Sequence, residues 1–297
     1  MTMATPDEIA VRQLGQGPYR SLPRIALDLA LWVGLAAAAV AAGRWWVSLA
    51  AAVLIGAVPF HDLLVQGHEG THGLITRHRH LNELLSGFTL GLGGISIAAH
   101  RAFHLEHHRH AHTADDPEFQ LFDRLARGVP GWTYLLVPAA ATVGVNAYGL
   151  RLAAPPRLRR ETLRDLAGIA LLHAALAGMV GPRLYLWFVV APMALGLFPV
   201  TIVRSICEHH AVSDASEWTL ARSMGTSRWV ERLWSNVNYH LEHHLHPTVP
   251  YHRLPELRRL LSGRYPEQAS PVAQGYLRTA LALLREPRHF KDASPGA

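Results

Sequence analysis

The chain carries one cysteine, Cys207, in 297 residues. No disulfide can close within it, and thiolate zinc sites and iron–sulfur clusters lack the ligands they require. Charge is also scarce, at 17% of residues, and long stretches have almost none. The apolar residues are gathered in blocks rather than spread at amphipathic spacing, which argues against an ordinary soluble domain. The formal net charge of +6 comes largely from arginines beside these blocks. They form no separate basic module, so nucleic-acid binding is not expected.

Residues 22–42 interrupt an apolar run only with Arg24 and Asp28, and residues 45–65 follow after a Gly43-Arg44 turn. Each is long enough to cross a hydrocarbon core that needs about 20 residues, and together they are expected to form a helical hairpin. A second hairpin is expected from residues 162–180 and 184–203, joined at Gly181-Pro182-Arg183, with no charge in its second arm before Arg204. A polar stretch precedes the first block, which is longer than a signal-peptide core. A cleavable signal is therefore not expected.

Histidine, in contrast to cysteine, is abundant, and eight of the 20 residues fall in three clusters: HEGTH at 68–72, HLEHH at 104–108 and HLEHH at 240–244. Positions three and four apart share one helix face. His68 with His72, His104 with His107 and His108, and His240 with His243 and His244 thus each present two or three imidazoles in one direction. Eight potential ligands exceed the needs of one ion. Neutral imidazole suits iron, copper, zinc and nickel, whereas magnesium and calcium sites require oxygen ligands. Divided between two ions, the set leaves about four nitrogens each, enough for a redox-active iron pair with positions open to dioxygen.

If the clusters serve one site, an even number of membrane crossings separates each pair. Residues 84–99, alone between the first two clusters, then cannot span, and Gly87, Gly91, Gly93 and Gly94 suit a re-entrant or interfacial segment. Three apolar stretches lie between the second and third clusters. Residues 131–154 are taken as the interfacial one, because their crossing would send Arg151, Arg157, Arg159, Arg160 and Arg164 outward. Four crossings leave both termini and every cluster in the cytoplasm. At 1.5 Å per residue, about 42 Å of helix separates Trp45 from His72 and about 39 Å separates Leu184 from His209, against roughly 30 Å of hydrocarbon. The Cys207-Glu208-His209-His210 segment thus reaches the height of His68 and His72 and offers a ninth ligand.

On these motifs the sequence resembles the membrane fatty acid desaturase and hydroxylase superfamily. Its members carry an HxxxH box after the second helix, an HxxHH box a few tens of residues later, and another after the fourth. The DDPE run at 115–118 and the HPTVP run at 246–250 extend the match, which covers residues 22–260. The resemblance implies an all-α integral membrane fold with four transmembrane helices in two hairpins, re-entrant or interfacial helices, and a cytoplasmic helical cap holding a diiron site. It assigns the two irons to His68, His72, His104, His107, His108, His240, His243 and His244, with His209 as ninth ligand and His210 as its alternative. Ser205 stands where some relatives carry asparagine, so an Asn-bridged water ligand is not expected.

The activity implied is O2-dependent desaturation of a fatty acyl chain at an unactivated methylene. Hydroxylation or ketolation of a carotenoid or other lipid, and oxidative fatty acid decarboxylation, are the alternatives within the superfamily. Thr248-Val249 follows His246-Pro247 in place of a glycine pair, so no fused cytochrome domain is expected. Electrons would come from a separate ferredoxin, rubredoxin or cytochrome b5 type donor. The expected plan is a cytoplasmic segment at 1–21, a desaturase-like membrane domain at 22–264 and a cytoplasmic tail at 265–297.

HEGTH is also HExxH, the helical zinc-protease pattern with Glu69 as base. A protease needs only one further ligand and leaves both HxxHH clusters unexplained; a metal transporter or sensor is the non-catalytic alternative. Under the oxygenase reading, Glu69, Glu106, Glu208, Glu242 and Asp62 are either acceptors that orient a ligand ring or solvated carboxylates, and Asn236 is a further such acceptor. His78, His80, His110, His112, His246 and His252 are expected at the surface or facing phosphate, and His289 in a polar tail. His61 and His100 flank a box on the membrane side. His173 is expected to hydrogen-bond between helices, and Trp45, Trp46 and Trp187 to mark interfacial belts. The arginines at 151–164 and 253–264 would face anionic lipid or an acidic electron donor.

Overall fold

The computed structural model describes residues 6–16, 19–126, 137–209, 212, 216–267 and 269–285. α1 (Pro6–Gly15) precedes α2 (Ser21–Ala42) and α3 (Trp45–Thr71). α4 (Arg79–Leu92) and α5 (Ile97–His110) form a bent pair, and α6 (Pro117–Ala126) and α7 (Val137–Leu150) lead to α8 (Pro156–Val180) and α9 (Pro182–His209). Three short helices, α10 (Arg228–Leu233), α11 (His240–Leu245) and α12 (Leu254–Leu261), build a cap, and α13 (Tyr276–Arg285) packs back on α9. The only sheet among the described residues is a two-residue parallel pairing of β1 (Met224–Gly225) with β2 (Ala273–Gln274). The protein is an all-α integral membrane protein, and among the described residues α2, α3, α8 and α9 are the four helices long and apolar enough to span.

Glycine and proline punctuate both hairpins. α2 ends where Gly43 adopts φ 62° and its N–H bonds back to the carbonyls of Ala39 and Val40, a left-handed cap that glycine takes without strain. α8 ends at Gly181, with φ 80°, and Pro182 opens α9, where its missing N–H costs nothing. Val33, Leu54, Leu171, Met179 and Leu186 lie exposed on the outer faces, a surface suited to lipid rather than water. α3 and α9 run beyond the apolar limits expected for them, to Thr71 and to His209. Polar side chains in the last turns leave the backbone hydrogen bonding intact, so the helices continue past the apolar blocks.

α3 and α9 cross at Gly56 and Gly196. A Cβ on Gly196 would stand 2.5 Å from the Val53 carbonyl, so close approach requires small residues on both helices. Wider π turns flank this crossing at Gly56–Phe60, which contains Pro59, and at Leu186–Val190 and Met193–Leu197. Around it Ile55, Phe60, Leu63, Leu92, Phe188 and Leu197 form the main buried cluster.

The stretch expected to be re-entrant becomes α4 and α5, which meet at 92°. Gly94, with φ 77°, makes the break, and three polar residues hold it. Ser96 caps α5 by accepting the Ala99 N–H, Asp165 of α8 accepts from Ser96 Oγ and the Ala98 N–H, and Asn146 of α7 bonds the Ser96 N–H and the Gly94 carbonyl. The carboxylate sits at a helix N-terminus, where it is favoured. His173 links helices as expected: Nδ1 accepts from the Tyr185 hydroxyl at 2.9 Å, and Nε2–H donates to the Gly91 carbonyl at 3.0 Å. Of residues 131–154, 131–136 lie outside the described residues, and α7 packs against α6, α5 and α8.

Candidate metal centre

Four helices deliver the histidines. The last turn of α3 carries His68 and its cap His72, the last two turns of α5 carry His104, His107 and His108, α9 ends on His209, and α11 supplies His240, His243 and His244. One ring nitrogen from each of His68, His72, His104, His108 and His243 lies within 4.8 Å of all the others, and His107, His209 and His244 form a second such group. His240 joins the second, its Nε2 being 2.6 Å from that of His209. All nine rings named from the sequence thus converge in two adjoining groups. His210 lies outside the described residues.

The donor set fits metal better than it fits itself. Nε2 of His104 lies 3.0 Å from Nε2 of His72 and 2.9 Å from Nε2 of His108. Ligands at about 2.0–2.1 Å from one ion are separated by roughly 3.0–3.4 Å, so these spacings suit a shared centre. Nε2 of His107, His243 and His244, and Nδ1 of His209 and His240, are buried without a hydrogen-bond partner among the described residues. Buried polar atoms are seldom left so. The two groups meet where the His108 and His244 rings stack at 4.4 Å.

The cap rings are kept neutral. Burial, then the charge of Arg204, holds His240 well below the ordinary imidazole range; burial and the surrounding rings do the same for His243 and His244. Neutral imidazole is the form that binds a metal.

The carboxylate that holds one of these rings is Asp116, in the DDPE run. Both its oxygens lie 3.0 Å from Nδ1 of His107. The residue also accepts the Glu118 N–H and the His112 N–H, each at 2.8 Å, so it caps α6 while it holds the ring. Burial would raise its carboxyl, but the His107 bond and these amide donors outweigh that and hold it below the usual carboxylate range. The available signal was an aspartate followed by proline at a helix start.

The expected orienting groups turn elsewhere. Glu69 accepts the Tyr251 N–H at 3.0 Å, Glu106 pairs with Arg109 and His110, and Glu242 takes Ser223, Tyr265 and Arg258. Asp62 faces Arg24 and Gln66. Glu208 alone of these lies near one of the nine clustered rings, 3.7 Å from His240 Nδ1, while bonding Arg204 and Tyr276. Asn236 lies in a turn with φ 52°, where its main-chain N–H donates to the Glu231 carbonyl at 2.7 Å.

The flanking histidines also sort themselves. His78 and His80 are exposed, while His246 and His252 are half-buried. His112 departs from its expected surface position: its left-handed φ of 63° folds the ring back to 5.7 Å from His209. His100 stacks on His104 and lies 3.0 Å from Thr71 Oγ1, and His61 is buried with Nε2 3.2 Å from Arg204. His289 lies outside the described residues. Trp45 and Trp46 are exposed, but Trp187 packs on the buried cluster.

A cavity of about 210 Å³ reaches both groups. Leu64, Phe103, Val145, Leu197 and Ile202 form its apolar wall beside His68, His107 and His243. An apolar wall of this kind suits a hydrocarbon chain.

The family model described as Fatty acid desaturase matches residues 43–276. The chain is 29% identical over 260 residues to the sphingolipid delta(4)-desaturase of Drosophila melanogaster, covering 82% of this chain and 74% of that protein. It is 22% identical over 313 residues to the chloroplastic sn-2 acyl-lipid omega-3 desaturase (ferredoxin) of Helianthus annuus, covering 93% and 70%. A beta-carotene ketolase of Paracoccus sp. (strain N81106 / MBIC 01143) is 29% identical over 209 residues, which is 66% of this chain and 73% of the ketolase.

Proposed function

This chain belongs to the fatty acid desaturase family, an oxidoreductase family, and from that membership we propose that it uses dioxygen and two irons to desaturate a fatty acyl chain. The observation that carries the reading is the pair of adjoining histidine groups beside an apolar cavity. His68, His72, His104, His108 and His243 would hold one iron; His107, His209, His240 and His244 would hold the other. When bound, the iron pair supplies dioxygen activation and the oxidising power to break an unactivated C–H bond.

The protein's own residues set the conditions for that chemistry. Asp116 accepts Nδ1–H of His107 and leaves Nε2 as the ligand atom. The cavity wall excludes water and fixes the chain, where a displacement of about 1 Å can cost on the order of a hundredfold in rate. A zinc-protease role for Glu69 is disfavoured by its bond to the Tyr251 amide and by the five histidines that gather where such a site needs three ligands.

The histidine face and both termini lie on the cytoplasmic side in this reading, by the clustering of Arg151 to Arg164. Electrons come from a separate donor of ferredoxin, rubredoxin or cytochrome b5 type. Labelling of a cysteine placed at Arg159 from the outside would overturn the orientation. A second reading, hydroxylation or ketolation of a carotenoid or other lipid, is favoured by the likeness to the beta-carotene ketolase.

Metal analysis of the purified protein tests the class. About two irons per chain are expected, and one zinc with no iron would sink the oxygenase reading. Lipid profiles of cells expressing the wild type and His107→Ala decide the outcome: a new double bond supports desaturation, whereas a new hydroxyl or keto group selects the alternative.

A further inference from the structure

A polar path leads inward to the cavity from the rim of the cap. At its outer end the Arg24 guanidinium, 13% exposed, donates to the carbonyls of Arg232 and Leu233. The same group contacts two carboxylates, Asp28 at 3.1 Å and Asp62 at 2.6 Å. One cation between two carboxylates leaves an uncompensated negative charge unless a proton is held there. Neither carboxylate is exposed, so the proton is the less costly solution. Further in, Gln66 Nε2 reaches Asp62 at 3.4 Å and donates to Ser235 Oγ at 3.0 Å. Ser235 lines the cavity beside His240 and His243.

Two further observations set this chain of groups apart from a simple ion-pair anchor. Asp28 Oδ1, Asp62 Oδ1 and Gln66 Oε1 are buried acceptors without a hydrogen-bond partner among the described residues. Acceptors in such a place ordinarily bind ordered water. Ser235 and Asn236 also hold positive φ values of 47° and 52° in succession, a left-handed turn that asparagine takes readily but serine seldom does. It carries the Ser235 hydroxyl, 2% exposed as a residue, to the point where Gln66 and the cavity meet.

Resting on the desaturase reading above, we propose that Asp28, Asp62, Gln66 and Ser235 form the route by which protons enter the cavity for dioxygen reduction. Desaturation breaks two C–H bonds and forms one C=C bond, while dioxygen is reduced to two waters. The substrate supplies two electrons and two protons; the external donor supplies two electrons, and solvent supplies the remaining two protons. Hydroxylation also draws two protons from solvent, so the route serves either outcome. Asp62 takes a proton from water at the Arg24 end and releases it inward along water held by Gln66 Oε1 and the Ser235 hydroxyl. Asp28, on the same guanidinium, shares the proton between turnovers.

The test compares Asp62→Asn and Ser235→Ala with the wild type in the iron-loaded, full-length protein. Readouts are iron content, thermal stability, donor-supported turnover, peroxide released per dioxygen consumed, and the solvent deuterium isotope effect. Each variant is expected to keep its iron and lose at least about tenfold in turnover, with more peroxide and a larger solvent isotope effect. A merely structural network would lower stability or iron content without moving the isotope effect or peroxide ratio, and that result overturns the proposal. Should Asp62→Asn fail to fold, Ser235→Ala decides alone: wild-type turnover and isotope effect in that variant overturn the route. A wild-type protein that loads no iron or consumes no dioxygen overturns the desaturase reading, and the proton route with it.

Discussion

Asp116 meets Nδ1 of His107 with both carboxylate oxygens, each at 3.0 Å. The ring, grouped with His209 and His244, is thereby fixed in one tautomer, and its Nε2 is left buried without a hydrogen-bond partner among the described residues. Because the same carboxylate caps α6, the helix start and the ring orientation depend on one side chain.

Asp116→Ala should lower iron affinity or turnover by about 10- to 100-fold and cost about 0.5–2 kcal/mol through loss of the cap. Asp116→Asn should keep much of the cap and lose less stability. Glu69→Gln is the contrasting case, since Glu69 bonds a backbone amide and no ring. It should lose stability but keep its iron. Metal analysis and thermal unfolding of the three variants separate these effects, and unchanged iron in Asp116→Ala would show that His107 orients without help.

His209 stands in the four-nitrogen group, 2.6 Å from His240, at the end of a helix that positions it rigidly. His209→Ala should therefore bind about one iron of the two, as a zinc or iron site short of one of its few ligands holds metal weakly. His210→Ala should bind both. Iron counts in the opposite order would move the ninth ligand to His210.

The hairpins and histidine boxes were legible because their signals are local. Apolar blocks bounded by Gly43, Gly181 and Pro182 set the helix ends, and three- and four-residue spacing set the ring faces. Carboxylate roles were not legible, because they depend on which distant backbone arrives. Glu69 lies beside His68 yet serves Tyr251, 182 positions later, while Asp116 reaches back to His107 only because α6 begins there. The inward turn of His112 depends on a left-handed backbone that no local pattern announces. Tyr276 was missed for a similar reason, since α13 returns it to Glu208 from a segment expected to be a tail.

Acidification should destabilise the iron-free protein from near neutrality downward. His240, His243 and His244 titrate lower folded than unfolded, because burial disfavours their charged forms. As pH falls through about 6.5, the unfolded chain takes up protons before the folded one, so stability is fully present above that value and declines below it. Asp116, also depressed, adds a loss in the same direction below the ordinary carboxylate range. Thermal unfolding from pH 8 to pH 5 should show a plateau and then a fall. A midpoint that rose on acidification would contradict neutral burial of these rings.

Gly70 lies between His68 and His72 at the tightest approach of α3 to α4. A Cβ there would stand 2.5 Å from Cβ and Oγ of Ser86 and 2.8 Å from Ile75 Cδ1. The contact cannot relax cheaply, because Ser86 Oγ donates to the Gly67 carbonyl and Asn82 Nδ2 donates to the Gly70 carbonyl, locking the two backbones together. Gly70→Ala should push α3 away, displace His68 and His72 from the five-nitrogen group, and lose iron with turnover, while Gly34→Ala, which meets nothing within 4 Å, should leave both intact. Ser86→Gly removes both atoms of the closest clash. In the double variant Gly70→Ala with Ser86→Gly, part of the iron and turnover should return, although the Ser86 hydrogen bond is gone. If the double variant were no better than Gly70→Ala, the loss would come from the backbone freedom of glycine, not from the space it leaves between the helices.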